Sequence, residues 1–577
     1  MQKLRLTLAV ALAIVGLAGS ASAQIIVQSA NITVDTTWGD NETEVVLQQP
    51  IFVNNGATLT ILQGTIIRGQ PRSAAVVPGQ VAGSPGALVV TQRGKIRALG
   101  AANDPIIMTT AAVDNDNNGV ADDVDAPIGF EDEWVPGDIF LDDDPLGAPL
   151  APLDKSAAGN SNVALWGGLV LLGRAPTNLS DFCGVGLTGM CTVEGLTVPG
   201  FPAADAMYGG VEPHDSSGIV QYVSVRHAGD EIGGSNELNG VTLGGVGDGT
   251  IFEFVEVYAN FDDGIEWFGG TVHGNNLVVA FAGDDSFDAD QGYTGVNQFL
   301  FAVMNFFNEN DGGLFGTGSG DKACEFDGDD FNEPTVNVNL VGPDSIVVPG
   351  NAAPWPLSHG FFQNMTVIGS TPDSGAPGSA VDFTPVSPAA ANLGCQMRSG
   401  FAGELRNSIV VNTGAMQGFD ASSGGAPGYS TSNNIDANYD GKAGGDLLRV
   451  YCSTFDDGLA LPAGDDQDAL ANGDLIVATT ADNNVVNSAS FAGLIEEDQT
   501  FNPTGNAAGK LAATLVGANG LINPRPAFGL VGIGGCAGPT ESGTDGNAVY
   551  RGAFIRTASR IWTTDWTVLN LAGLMAD

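Results

Sequence analysis

Basic side chains are scarce in this sequence. Its 577 residues include only 20 Lys and Arg against 66 Asp and Glu, which gives a formal net charge of -46. Nucleic acids and anionic membrane surfaces are bound by clusters of Lys and Arg, so the composition argues against both as partners. Hydrophobic residues make up 43% of the chain. That share is enough for a folded core and excludes a disordered acidic tail.

Long apolar segments are also scarce, and the one that stands out lies at the N-terminus. A positively charged start with Lys3 and Arg5 is followed by twelve mostly apolar residues and by a small Ala-Ser-Ala cleavage site before Gln24. This arrangement predicts a secretory signal peptide at residues 1–23. A membrane anchor, the alternative, needs about 20 apolar residues. We therefore expect a secreted or cell-surface protein with no membrane span after cleavage.

Cysteine and histidine are few, with six and four residues. Cys183 and Cys191 are eight residues apart in a Gly-rich stretch, which predicts a small disulfide loop in an exported protein. A cysteine–histidine metal cluster is not expected, because there is no Cys-x-x-Cys pair. The spacing leaves the pairing of the other four cysteines open: Cys324, Cys395, Cys452 and Cys536.

Part of the chain repeats with a period of about 22 residues, a length typical of solenoid repeats. Two acidic corners begin at Asp262 and Asp284, one such period apart. A short β-branched strand precedes each acidic corner. We expect the next strand of this series about 22 residues after the second one. These strands lie at residues 254–257, 277–279 and 299–301; two later strands lie at 365–368 and 409–411, and we interpret the spacing between their starts as two periods.

Short strands divided by Gly, Asn and Asp corners predict an all-β fold, the parallel β-helix, with coils of about 22 residues. Each coil stacks on the one before at the strand spacing of ~4.8 Å, so like residues form rows along the axis. A helical solenoid has longer repeats with helical periodicity, and a β-sandwich is not expected to keep a fixed period. We therefore favour the β-helix over both.

The pattern divides the mature chain into four regions. We predict an N-terminal cap with opening coils at residues 24–112 and an acidic insertion at 113–160. The main β-helix, with long loop insertions, follows at 161–430, and C-terminal coils with a cap occupy 431–577. Residues 562–566 are expected to cap the last coil, because an uncovered coil end is an open sheet edge.

Several motifs resemble a known family. They are FVNNGATLTI at residues 52–61, GTIIRG at 64–69, WGGLVLLGRA at 166–175, ELNGVTL at 237–243, DDGIEWFGG at 262–270 and YRGAF at 550–554. Together they are similar to secreted bacterial right-handed β-helix proteins with a pectin-lyase-like fold. The resemblance covers most of residues 30–310 and the last thirty residues. It implies the fold but no activity, since this fold carries lyases, hydrolases, adhesins and surface proteins alike.

One loop has the alternating oxygen pattern of a calcium site. Residues 114–125 read DNDNNGVADDVD, with Gly at the sixth position for a sharp turn. The last position is Asp rather than Glu, so the loop is similar to dockerin or thrombospondin-type variants; the alternative is a solvated acidic turn. The predicted Ca²⁺ ligands are Asp114, Asp116, Asn118, Asp122 and Asp125, with the backbone carbonyl of Val120.

A second acidic group arises from stacking of the coils. Like charges about 5 Å apart repel by about 3 kcal/mol at an effective dielectric of ~20. No Lys or Arg lies between Arg226 and Lys322, so we expect no local salt bridge to offset this repulsion. We interpret the group as a divalent cation site, against solvated corners or a catalytic acid pair. Its predicted ligands are Asp262, Asp263 and Glu266 in one coil, and Asp284, Asp285 and Asp288 in the next.

Evidence for an enzyme is thin. Arg226 and His227 are the best local candidates for lyase chemistry, but we expect one of them to face solvent and the other to cap a coil. The sequence leads to a secreted, Ca²⁺-stabilised β-helix with a cell-surface or extracellular binding or structural role, and with an extracellular glycan or cell-surface component as its expected partner. The alternative is a carbohydrate-active enzyme, either a polysaccharide lyase or a glycoside hydrolase, acting on extracellular glycans.

Overall fold

The computed structural model describes residues 24–39, 43–72, 84–117, 121, 134–146, 150, 162–178, 191–193, 205–231, 237–304, 322–327, 358–368, 381–382, 393–398, 401, 403–411, 449–456, 485–487, 500–501, 524, 544–555, 558–572 and 575. In chain order the strands are β1 (Gln24–Gln28), β2 (Thr36–Trp38), β3 (Thr43–Leu47), β4 (Pro50–Val53), β5 (Thr58–Leu62), β6 (Ile66–Gly69), β7 (Ala87–Val90), β8 (Lys95–Leu99), β9 (Ile106–Thr110), β10 (Leu169–Leu172), β11 (Cys191–Thr192), β12 (Met207–Tyr208), β13 (Gly218–Arg226), β14 (Asp230–Glu231), β15 (Glu237–Leu238), β16 (Val241–Gly244), β17 (Ile251–Tyr258), β18 (Ile265–Phe268), β19 (His273–Ala280), β20 (Phe287–Asp290), β21 (Val296–Val303), β22 (Lys322–Asp327), β23 (Phe361–Ile368), β24 (Val381–Asp382), β25 (Leu393–Arg398), β26 (Glu404–Arg406), β27 (Ile409–Val411), β28 (Arg449–Tyr451), β29 (Thr454–Asp456), β30 (Val485–Asn487) and β31 (Thr500–Phe501), and a short helix α1 spans Val568–Leu571. The predicted signal peptide at residues 1–23 lies outside these ranges.

Two parallel sheets form the body of the molecule. Within the described ranges, 17 strands form a large sheet and eight form a second one, in the order β25-β22-β20-β18-β16-β10-β7-β4. From β16 to β23 successive strands alternate between the two sheets, so each turn of the chain adds a strand to both. This architecture confirms the predicted all-β parallel β-helix.

A bend at one fixed position divides the large sheet into two parts. It recurs in seven successive coils, each time at a residue with left-handed φ: Tyr222 (50°), Phe254 (55°), Asn276 (55°), Phe299 (61°), Asn364 (51°), Asn407 (52°) and Cys452 (49°). Such φ values are disfavoured for bulky side chains. The rings of Tyr222 and Phe254 stack at 4.3 Å between centroids, and this contact helps to offset the strain.

The interior of the coils is apolar. In β18, Ile265 and Trp267 are fully buried in the main core cluster, and their partners one coil on, Phe287 and Ala289, are buried with them. Because strand side chains alternate between faces, the residues between these core positions project from the outer face of the second sheet.

The expected period holds in some coils and fails in others. Val255 pairs with Leu277, one full period on, but Leu277 pairs with Leu300 rather than with Phe299. That prediction was wrong by one position, because the coil between these strands is one residue longer than the period. The interpretation of the spacing between the strands at 365–368 and 409–411 as two periods was also wrong. Thr366 pairs directly with Ile409, so a loop insertion lengthens a single coil to nearly twice the period.

Residues 562–566, which were expected to cap the last coil, pack beside early coils in the described part of the chain. The C-terminal strap, defined as residues 544–555 and 558–572, runs along the flank of the β-helix toward earlier coils. Arg551 Nη1 donates to the Ser453 carbonyl at 2.6 Å, and Ala553 N donates to Thr366 Oγ1 at 2.8 Å. Further on, the Trp566 ring packs edge-on against Tyr222. The aromatic bend positions supply the apolar surface that makes this path favourable.

One disulfide joins two neighbouring coils. Cys324 in β22 and Cys395 in β25 are register partners, are fully buried and are bonded to each other. The sequence had left this pairing open. Cys191 is described at the start of β11, but Cys183 lies outside the described residues, so the Cys183–Cys191 loop stays a prediction.

Candidate metal centre

The candidate centre lies on the outer face of the second sheet, where three successive coils place an acidic side chain at the same position. Glu266 in β18 pairs in register with Asp288 in β20, and Asp288 pairs with Glu325 in β22. Their neighbours along the strand, such as Ile265 and Trp267, face the core. The three carboxylates therefore form one row along the axis of the β-helix.

A second row lies three residues earlier in each of the same coils. Asp263 Oδ1 accepts a hydrogen bond from the Asp285 backbone N–H at 2.9 Å. The Ser286 N–H donates to the Lys322 carbonyl at 3.2 Å. These backbone contacts fix Asp263, Asp285 and Lys322 one above another, beside the first row.

Together with the preceding corner residues, the two rows form three sets of carboxylates that could hold a metal ion. In each set the three residues offer one oxygen apiece within 4.8 Å of one another. The sets share members, so they form a continuous chain. They are Asp262, Asp263 and Asp284; Asp263, Glu266 and Asp288; and Asp285, Asp288 and Glu325. The structure thus brings together all six carboxylates that the sequence singled out, whereas their role as ligands stays a prediction.

Several carboxylate oxygens in the centre are buried without a hydrogen bond in the described part of the chain. Asp285 is 1% exposed, and neither its Oδ1 nor Asp288 Oδ1 has a hydrogen-bond partner in the described part of the chain. Native proteins pair most buried polar atoms, and an exception calls for a specific reason such as a bound ion. The donor set fits a hard cation, since Ca²⁺ takes six to eight oxygen ligands.

The protein destabilises the charged form of these carboxylates. Burial raises the pKa of Asp263 to about 8, and repulsion from Asp284 adds to this shift. The hydrogen bond from the Asp285 N–H lowers the pKa but does not offset the two raising effects. Burial also raises the pKa of Asp285 and of Asp288 well above the usual range. For Asp288 the neighbouring carboxylates of Asp263 and Glu266 add to the shift.

The expectation that no local salt bridge serves this group was wrong. Lys322 Nζ lies 2.8 Å from Glu325 Oε2 and 3.5 Å from Asp285 Oδ2. Burial disfavours its ammonium, but the attraction of Asp285 and Glu325 outweighs burial, so the pKa of Lys322 is raised. Lys322 is distant from the acidic corners in sequence, and a coil lengthened by a loop insertion brings it directly above Asp285.

Sequence reasoning also missed Glu325. It lies in CEFD at residues 324–327, which has no Asp-Asp corner, and the insertion before β22 breaks the regular spacing. A usable signal was present, because Cys324-Glu325-Phe326 repeats the apolar–acidic–apolar pattern of residues 265–267. Aligning these strands by pattern rather than by spacing would have found it.

The predicted calcium loop is described only in part. Asp114 is buried, and its carbonyl accepts a hydrogen bond from the Asn117 N–H at 3.4 Å in a turn. Asp116 lies in the same turn. The remaining predicted ligands lie outside the described residues, so the loop stays a prediction: Asn118, Val120, Asp122 and Asp125.

Arg226 and His227 do not face solvent, contrary to the expectation for one of them. Both are fully buried. Arg226 Nη1 donates to the Pro145 carbonyl, and His227 Nδ1 lies 2.6 Å from the Asn162 carbonyl. Burial lowers the pKa of His227 to about 4, so the ring is neutral at pH 7. Chain segments that are far away in sequence cover both side chains. Arg226 and His227 are therefore not placed to contact a substrate.

Comparison with known proteins defines the family. The chain matches no curated protein and no solved structure. No helix in the described ranges is long and apolar enough to cross a membrane. The sequence does match the family described as "Pectate-lyase like beta helix domain", over residues 30–120 and 154–438, which is more than half of the chain. In agreement with its sequence motifs and its two parallel sheets, the chain belongs to the pectate-lyase-like β-helix family.

Proposed function

We propose that this protein is a calcium-stabilised β-helix that is exported and has a binding or structural role at the cell surface or outside the cell. The observation that carries the proposal is the carboxylate centre. It holds seven acidic side chains from three stacked coils, with the ammonium of Lys322 as the cation found in the described part. Repulsion within this group makes uptake of further positive charge favourable.

The chemistry of the donor set favours calcium among common metal ions. The three sets contain carboxylate oxygens without sulfur or imidazole nitrogen. Zinc and copper prefer His and Cys ligands, whereas Ca²⁺ accepts carboxylates in flexible geometry at about 2.3–2.6 Å. Mg²⁺ demands a near-ideal octahedron and usually retains several waters. A chain of sets that share Asp263 and Asp288 is more easily fitted by the adaptable calcium ion.

Calcium binding is tested by thermal unfolding of the mature chain, residues 24–577. We expect a higher Tm in Ca²⁺ than in a chelator, because an ion that binds only the folded state stabilises it by about 2.7 kcal/mol at 100 times its Kd. Isothermal titration calorimetry checks the binding directly. An unchanged Tm together with the absence of binding heat contradicts the proposal.

A double variant separates the carboxylate centre from other acidic groups. Asp263→Asn with Asp285→Asn replaces two buried carboxyl groups by amides of the same shape that cannot ionise, so the gain in Tm from Ca²⁺ should shrink. Asp35→Asn is the matched control, because Asp35 is exposed and accepts a hydrogen bond from the Thr58 N–H that an amide oxygen retains. The control should keep the full gain from Ca²⁺.

A carbohydrate-active enzyme is the second candidate, because lyases and hydrolases are among the proteins that carry the pectate-lyase-like fold. Buried carboxylates with raised pKa are also suited to acid–base chemistry. A screen of extracellular glycans with and without Ca²⁺ distinguishes the candidates. Release of reducing ends or unsaturated products that Asp284→Ala with Asp285→Ala abolishes would establish the enzyme; no product from any glycan supports the binding or structural role.

A further inference from the structure

Lys322 occupies a specific place in the carboxylate centre. Its ammonium contacts Glu325 and Asp285, which are two of the three residues in the third ligand set. Its side chain is only 11% exposed. The backbone hydrogen bond from Ser286 to the Lys322 carbonyl holds the start of β22 directly above Asp285. The lysine therefore points into the set as part of the fold and is not a mobile surface side chain.

An ammonium and a calcium ion cannot share one set of this size. Both would draw on the carboxylates of Asp285 and Glu325, and their positive charges repel at short range. The ammonium supplies a single charge, and it leaves Asp285 Oδ1 and Asp288 Oδ1 buried without a hydrogen bond. The third set thus retains unpaired oxygen that a divalent ion with a larger coordination number would use.

We propose that Lys322 is a tethered cation that fills the third ligand set and thereby limits how many calcium ions the centre takes up. This inference rests on the proposed calcium binding. Without the lysine, Asp285, Asp288 and Glu325 form a further calcium site. With it, part of the centre is neutralised by the chain itself, so the fold does not depend on calcium alone for charge balance.

The test counts bound calcium in the full mature chain by equilibrium dialysis with metal analysis. Lys322→Met, which keeps an unbranched side chain one atom shorter and removes its charge, should bind one more Ca²⁺ per chain than the wild type. Its Tm in chelator should fall below that of the wild type, and saturating Ca²⁺ should restore it. Lys95→Met is the matched control, since Lys95 is exposed and donates to the Ser216 carbonyl; it should keep the wild-type count.

A second variant tests the inference even if Lys322→Met does not fold. Glu325→Gln alters the third set and leaves the lysine in place, so it should bind as much Ca²⁺ as the wild type. Loss of a bound ion in Glu325→Gln, or an unchanged or lower count in folded Lys322→Met, overturns the role of Lys322. A wild type that binds no Ca²⁺ overturns the proposed function itself, so the two failures are distinct.

Discussion

At the scale of single residues, Glu256 anchors the C-terminal strap to the β-helix. Its carboxylate is fully buried and accepts hydrogen bonds from the Ser224 hydroxyl and, at 2.8 Å, from the Val568 N–H at the start of α1. Arg226 Nε in turn donates to the Ser224 hydroxyl at 2.9 Å. Burial raises the pKa of Glu256 to about 7, against the opposing effects of Arg226 and both hydrogen bonds.

This shift predicts a pH-dependent stability. The folded pKa lies above the ordinary value of 4.5, so the stabilisation is present below about pH 4.5 and is lost as pH rises through 7. The change across this window is on the order of 3 kcal/mol. Glu256→Gln, which cannot titrate, should flatten the fall in Tm between pH 5 and pH 8 at constant Ca²⁺.

The control for this pH effect is Glu253→Gln, on the same strand. Glu253 is half-buried and hydrogen-bonded to the side chain of Gln221. Its replacement should leave the pH profile of the wild type intact. Identical profiles for wild type and Glu256→Gln would show that Glu256 stays ionised throughout and would contradict the prediction.

The limits of sequence reasoning are visible at particular residues. Asp263 and Asp285 could be stacked from the sequence because the coil between them has no insertion, so spacing along the chain equals position along the axis. Lys322 follows a loop insertion, so its spacing from Asp285 along the chain does not give its position along the axis; only alignment of β22 with β20 by pattern does. The burial of Arg226 could not be predicted for a different reason. Its neighbour Glu256 accepts a hydrogen bond from Val568, a strap residue 312 positions later in the chain.

At the scale of elements, the C-terminal strap contributes aromatic rings to the flank of the β-helix. Trp566 is fully buried, and its ring lies edge-on to Tyr222 and Phe254 at 5.8 and 6.2 Å between centroids. Its Nε1 donates to the Trp562 carbonyl at 2.8 Å. The strap covers the left-handed bend, so residues with unfavourable φ gain contacts that they would lack in an open sheet.

Removing this anchor should loosen the strap before it unfolds the coils. Trp566→Ala loses the ring contacts and leaves a cavity, at a cost of about 3–5 kcal/mol. Limited proteolysis should then cut within residues 544–572 much faster than in the wild type, while the fragment that contains β16 to β21 stays protected. Ile555→Ala, at an exposed position of the same strap, is the control and should resist cleavage like the wild type. Cleavage spread evenly along the chain would mean that the strap and the coils unfold as one unit.

At the scale of the whole molecule, a formal charge of -46 opposes any compact fold. Mobile salt reduces this general repulsion, because the Debye length falls from about 30 Å at 0.01 M to about 8 Å at 0.15 M. Salt acts weakly on buried carboxylates such as Asp285, which screening does not reach. Under the proposed calcium binding, a site-bound ion neutralises that buried part, whereas sodium acts on the exposed part.

The two effects separate when the salts are compared at equal ionic strength. In chelator, NaCl from about 0.01 to 0.15 M should raise the Tm gradually. About 1 mM CaCl₂ should raise the Tm more than NaCl of matched ionic strength does. Calcium binding to a site of the folded state adds a stabilisation that NaCl does not provide. In the double variant Asp263→Asn with Asp285→Asn, the additional rise in Tm with CaCl₂ should be smaller, while the rise in Tm with NaCl should be unchanged. Equal Tm values for the two salts at every ionic strength would mean that calcium acts on this molecule only as a screening ion, and the buried carboxylates would then have to be neutralised by protonation.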